Sequence, residues 1–229
     1  MKIGGLQKVS LIDYPGKICA VVFSQSCNFR CRYCHNPELV DPERFSACID
    51  EKEIMEFLKA RRGKLDAVSI TGGEPTIQKD LIGFVKKIKK MGFSVKLDTN
   101  GSQPQVIKEL LQARLLDFIA MDVKAPLAKY KDIARASVDA ELIKESIGAI
   151  LKAKMPHEFR TTLVRSQLNI QDIMEISGLI SGAKCYVLQK FVPTKTLDKK
   201  FIGESTWPDD ELRAIKADLE KEITAVIVR

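Results

Sequence analysis

Residues 18–36 read ICAVVFSQSCNFRCRYCHN. The opening seven residues are apolar and rich in β-branched and aromatic side chains, which is the composition of a buried strand. Cys27, Cys31 and Cys34 follow at once in a C-x3-C-x2-C run. Three thiolates this close can hold three irons of a cubic [4Fe–4S] cluster, whereas closed clusters use four cysteines, so the run leaves one iron open to a further ligand. A buried strand that ends in a ligand-bearing loop also says where to look for the rest of the site, namely at the ends of the neighbouring strands.

Moving outward, short β-rich runs alternate with longer amphipathic ones, the pattern of βαβ units that build a parallel sheet. Further strands are predicted at 67–71, 94–99, 118–124, 159–164 and 185–191, and helices near 50–61, 78–91, 103–113, 139–153 and 170–181. Asp50 with Glu53 three residues on is a capping-box arrangement for the first helix. Pro208 and three acidic residues open a last helix at about 208–222. A closed eight-unit barrel typically takes about 250 residues. This chain has 229, including an N-terminal extension and a C-terminal strand. The expectation is an α/β fold, a partial, open (β/α)6 TIM-type barrel with parallel strands. It is read as a single domain over 1–229, with a core at about 16–191 and a C-terminal helix and strand at about 206–229. Polar groups gather where the strands end: the cysteines after the first, TGGEP after the second, DTNG after the third and MDVK after the fourth. In βα-barrels that rim carries the active site.

The chain is 45% hydrophobic and 25.7 kDa, enough to bury a core without disulfides. No secretory h-region or membrane-length apolar stretch occurs, so a cytoplasmic protein with no membrane partner is expected. A reducing compartment makes metal ligation a better reading of a tight cysteine triplet than disulfides. Cys19 and Cys185 lie inside apolar runs and read as small buried hydrophobes. Cys48 lies in a polar stretch and is a weaker candidate for a fourth ligand. The net charge of +7 would suit an acidic partner. Most lysines are spread over helix faces, and only 190–200, KFVPTKTLDKK, makes a local basic loop. A solvated surface is the default reading, and no nucleic-acid partner is expected.

The cysteine run with Tyr33 before its last member resembles the signature of the radical S-adenosylmethionine (SAM) superfamily. That resemblance implies a [4Fe–4S] cluster on Cys27, Cys31 and Cys34, with the methionyl amino and carboxylate groups of the cosubstrate chelating the open iron. Gly72, Gly73, Glu74 and Pro75 resemble the superfamily's GGEP motif, which receives the methionyl ammonium. His35 and Asn36 after Cys34, the Asp98-Thr99-Asn100-Gly101 segment and Met121-Asp122-Val123-Lys124 resemble one branch, the activating enzymes of glycyl radical enzymes. By that resemblance Asp98 and Asp122 would bind a monovalent cation, Lys124 would pair the cosubstrate carboxylate, and Arg160 would contact it as well. The position of a histidine that touches the cosubstrate ribose in pyruvate formate-lyase activase falls at or near Phe191. The N-terminal block GLQKVSLIDYPGK resembles the short activases of anaerobic ribonucleotide reductase. The implied partners are a glycyl radical enzyme as protein substrate and a flavodoxin- or ferredoxin-type electron donor.

Two other classes stay open at this point. One keeps the radical chemistry but acts on a small molecule, as in the similar-length 7-carboxy-7-deazaguanine synthases. The other is a non-enzymatic module, with Cys27, Cys31, Cys34 and His35 around zinc or a cluster that only carries electrons.

Overall fold

A computed structural model describes all 229 residues. The strands are β1 (Ile3–Ser10), β2 (Cys19–Ser24), β3 (Ala67–Gly72), β4 (Ser94–Thr99), β5 (Phe118–Asp122), β6 (His157–Leu163), β7 (Tyr186–Lys190) and β8 (Val226–Val228). They form one sheet in the order β1 to β8, with no strand out of sequence. The helices are α1 (Pro37–Val40), α2 (Glu51–Ala60), α3 (Leu81–Lys90), α4 (Pro104–Gln112), α5 (Tyr130–Ala134), α6 (Ala140–Lys152), α7 (Ile170–Leu179) and α8 (Asp209–Leu219). This is the expected α/β fold with an open sheet of mostly parallel strands. The residues ahead of β2 are a correction, because they do not merely extend the chain. They form β1, antiparallel to β2, with Leu6 opposite Val22 and Ser10 opposite Cys19. Gly4 and Gly5 weaken the strand signal of this segment, and pairing with β2 overrides it.

The chain divides into two compact units. The first comprises Met1–Asn28, Glu38–Thr99 and Gln105–Ile119. Within it β2, β3 and β4 are parallel, with Cys19 level with Ala67 and Ala67 level with Ser94. Val21, Val22, Val68, Ile70, Val95 and Leu97 are fully buried, which is why these strands read as nearly continuous apolar runs. Ile54 and Leu58 of α2, and Leu81, Phe84, Val85 and Ile88 of α3, make the apolar stripes that cover them. Asp50 accepts from the Lys52 N–H and caps α2.

The second unit comprises Phe29–Pro37, Asn100–Pro104 and Ala120–Arg229. Here β6, β7 and β8 are parallel, with Tyr186 between Phe159 and Val226. α7 begins with a full capping box between Asn169 and Asp172. No helix is long and apolar enough to cross a membrane.

In the first unit the end of β3 lies unusually close to the end of β2. Gly72 has φ +113°, and a Cβ there would sit 2.5 Å from the Ser24 backbone. A Cβ on Gly73 would sit 2.0 Å from the Ser26 carbonyl oxygen. The approach is fixed by hydrogen bonds from the Gly73 N–H to Ser24 O (2.8 Å) and from the Glu74 N–H to Ser26 O (2.8 Å). Only glycine lets the two backbones meet this way. Gly73→Ala should therefore destabilise the protein by about 1–3 kcal/mol or more in urea denaturation. Gly83→Ala, in α3 with open space around the new methyl, should stabilise it by about 0.5–1 kcal/mol.

Candidate active site

In the first unit, β2 leads into Ser26 and Cys27. Ser26 holds φ 85°, a left-handed conformation that costs a non-glycine residue about 1–3 kcal/mol unless its surroundings enforce it. They do so here: its N–H donates to Leu39 O at 2.7 Å and its carbonyl accepts from Glu74 at 2.8 Å. The chain thus turns sharply into the first cysteine. Glu74 is 1% exposed. Its Oε1 accepts from the Thr76 N–H (3.0 Å), the Thr76 hydroxyl (2.5 Å) and the Thr99 hydroxyl (2.7 Å). Those bonds tie the GGEP turn to the end of β4 and fix the carboxylate's orientation. At β4 Asp98 is paired with Lys96, a lysine only 3% exposed. A buried cation without a partner would be costly, so each member of this pair stabilises the other's charge.

In the second unit the rest of the cysteine loop shows a simple alternation. Phe29, Cys31 and Tyr33 are buried, Arg32 is exposed, and Arg30 and Cys34 lie between these extremes. Cys34 N–H donates to Cys31 O at 3.0 Å, so the last two cysteines share one tight turn. The Tyr33 ring carries Lys124 Nζ at 5.9 Å from its centroid, within cation–π range. Asp122, at the end of β5, accepts from Lys124 Nζ at 2.9 Å and from Arg160 Nε at 2.7 Å. Glu158 continues the charge ladder, 3.8 Å from Arg160 and 3.3 Å from Arg229. Tyr130 of α5 closes the group: its hydroxyl accepts from the Lys124 N–H (3.3 Å) and donates to Asp122 O (3.4 Å).

Electrostatics follow from that geometry. Burial works to raise the pKa of Asp122, but the Arg160 guanidinium and the Lys124 ammonium prevail and hold it well below the usual carboxylate range. Burial opposes the charge on Lys124, and Asp122 more than offsets it, so Lys124 stays firmly protonated. The Cys31 thiol is pushed up to about 11 by burial, against the attraction of Lys124. Lys124 offsets only part of that burial cost, and a thiol that coordinates a metal loses its proton to the metal's own charge.

All six cysteines are free of disulfides. Cys19 opens β2 and Cys185 immediately precedes β7, so both lie at strand N-termini, the opposite ends from the candidate residues. Cys48 is exposed, its thiol donating to Gln25 Oε1 at 3.3 Å. Three soft thiolate donors on one short loop fit an iron–sulfur cluster rather than a packed apolar turn. The candidates lie at or just past strand C-terminal ends, Cys27 after β2, Glu74 after β3, Asp98 and Asp122 in the last two residues of β4 and β5 and Lys124 after β5, except Arg160, which is inside β6. Phe191, just past β7, meets the His35 ring edge-on at 5.6 Å, so the histidine beside Cys34 packs on Phe191.

Lys96 escaped the sequence reading. Its signal was the i, i+2 spacing to Asp98 in a strand, which puts both on one face. Thr99 lies in the DTNG segment, but its bond to Glu74, like those of Tyr130, joins residues that only folding brings together.

The radical SAM superfamily matches residues 21–180. A Methanocaldococcus jannaschii protein whose name describes a glycyl-radical enzyme activating enzyme is 36% identical over 233 aligned positions, covering 99% of this chain and 95% of that protein. The pyruvate formate-lyase-activating enzyme of Clostridium pasteurianum is 30% identical, over 96% of this chain and 92% of its own. Among solved structures, Streptococcus suis SuiB bound to S-adenosylmethionine has a TM-score of 0.69 at 14% identity, over 91% of this chain and 49% of that one, a likeness of fold. Similarity that runs through the cysteine loop and nearly from end to end places this chain in the radical SAM superfamily, in the branch of the glycyl radical enzyme activating enzymes.

Proposed function

We propose that this chain activates anaerobic ribonucleoside-triphosphate reductase by making a glycyl radical in it. The superfamily works with a [4Fe–4S] cluster and S-adenosylmethionine, and the branch acts through radical chemistry. When bound, the cluster supplies one electron that breaks the C5′–S bond of the cosubstrate, giving methionine and a 5′-deoxyadenosyl radical that takes a hydrogen atom from the glycine Cα. The observation that carries this reading is the three-cysteine loop within a chain matched nearly end to end by two activating enzymes. The choice of reductase rests on the N-terminal block GLQKVSLIDYPGK.

The chain's own residues have separable tasks in this reading. Cys27, Cys31 and Cys34 hold three irons. Gly72 and Gly73 bring backbone close to the methionyl group, and Glu74, locked by Thr76 and Thr99, receives its ammonium by a charge-assisted bond. Lys124, with Arg160 behind it, offers positive charge to the methionyl carboxylate. Tyr33 packs beside the cysteines and under Lys124. A monovalent cation at Asp98 and Asp122 would share the first carboxylate with Lys96 and the second with Lys124 and Arg160. The glycine would be presented on a loop of a separate polypeptide. A flavodoxin- or ferredoxin-type protein supplies the electron.

Anaerobic reconstitution should give about four irons and four sulfides per chain, and 5′-deoxyadenosine on adding dithionite and S-adenosylmethionine. Cys31→Ala should abolish both, and Cys185→Ala should leave both intact; equal effects would mean that the ligands are misassigned. Electron paramagnetic resonance after mixing the reduced enzyme, S-adenosylmethionine and anaerobic reductase should show a glycyl doublet. Cosubstrate cleavage with no radical in the reductase, but a radical in another glycyl radical enzyme, would move the assignment to that partner.

A further inference from the structure

Beyond Phe191, the basic loop at 190–200 is not used by the site just described, yet in the second unit it is bonded to the cysteine loop itself. Asp198 N–H donates to Arg32 O at 3.0 Å. The Arg32 guanidinium lies 3.7 Å from the Asp198 carboxylate and 5.9 Å from the Phe201 ring centroid. Phe201 is buried and anchors the segment. On the other flank, Arg30 N–H donates to Ala134 O at 2.8 Å, at the end of α5. Three short segments, Phe29–His35, Tyr130–Arg135 and Thr194–Phe201, are therefore joined by main-chain hydrogen bonds. Together they carry seven lysines and arginines against two aspartates.

The arrangement of those charges is specific. Inside the cysteine loop, burial alternates so that Cys31 turns inward while Arg32 points out with 46% of its side chain exposed. Lys131, Arg135, Lys199 and Lys200 are exposed around it. The only aspartate in the Thr194–Phe201 segment is already engaged, by Arg32 and as the cap of the 3-10 turn at 199–203. The positive charge thus sits on the outer side of the segment that turns Cys31 inward. Electron tunnelling falls steeply with distance, so a donor seated on Arg32 would lie beside the residues that would hold the cluster, Cys31 and Cys34.

We propose that this surface, Arg30 and Arg32 with the α5 end and the Lys199–Lys200 turn, is the docking site of an acidic, low-potential electron-transfer protein. The proposal rests on the radical SAM reading of the cysteine loop. One electron passes from the reduced donor to the oxidised cluster, the donor is oxidised by one electron, and no proton or group moves. Complementary charge speeds encounter and makes it salt-dependent. A nucleic acid could also be drawn to positive charge, but closeness to the cysteine loop serves an electron donor and gives a nucleic acid nothing.

The test uses cluster-loaded protein and an acidic flavodoxin in its hydroquinone form as probe. Calorimetry should give a Kd that weakens at least tenfold from low to high ionic strength, and Lys199→Glu with Lys200→Glu should weaken it at least tenfold at low salt. In the same variant the ratio of flavodoxin-driven to dithionite-driven cosubstrate cleavage should fall at least tenfold. No binding by the unaltered protein, a variant Kd and rate ratio within twofold of it, or tight binding to a short DNA duplex but not to flavodoxin would overturn the proposal. Loss of dithionite-driven cleavage in the unaltered protein would instead defeat the functional reading beneath it.

Discussion

A loop that offers three thiolates and no fourth dictates most of what surrounds it. An iron left without a protein ligand must be kept for a cosubstrate, which requires hydrogen-bonding groups and fixed charges at the ends of several strands at once. The loop itself is shaped for the task. Ser26 enters it in a left-handed conformation held by two main-chain hydrogen bonds, and from Phe29 to Tyr33 alternate residues turn inward. Cys31 turns inward and Arg32 meets solvent, so a single short segment has both an interior and an exterior face.

Fixed charge near such a loop must be balanced before any ligand arrives. Each unit does this internally. In the first, Lys96 and Asp98 pair within β4, and Glu74 is satisfied by two threonines. In the second, Asp122 is shared by Lys124 and Arg160, and Glu158 by Arg160 and Arg229. Partly buried ions are expensive unless paired, so these pairs keep the sites preorganised while leaving cationic groups that can re-pair with an anionic ligand. The same residues therefore support the fold and prepare the chemistry.

The alternation of apolar strands with amphipathic helices was readable because both periods are local, and so were the motifs at the strand ends. What escaped was information carried by distant pairing. β1 contains Gly4 and Gly5 and shows no clear strand period, and only its ladder with β2 makes it a strand. α5 is a single short turn following Lys124, too brief to announce itself by periodicity. Lys96 is made a partner of Asp98 by the fold, which buries it. Asp122 was legible as a site residue, but its partner Arg160 lies 38 positions away, and no local pattern joins them.

The claim on which the account rests is that one iron of the cluster is bound by cosubstrate and not by protein. Mössbauer spectra of 57Fe-reconstituted protein, recorded without and with S-adenosylmethionine, test it most directly. The account predicts that about one quarter of the iron, one site of a four-iron cube, changes its isomer shift on adding the cosubstrate while the remainder is unmoved. Spectra that are identical with and without it, from a cube with all four irons equivalent, would contradict the account.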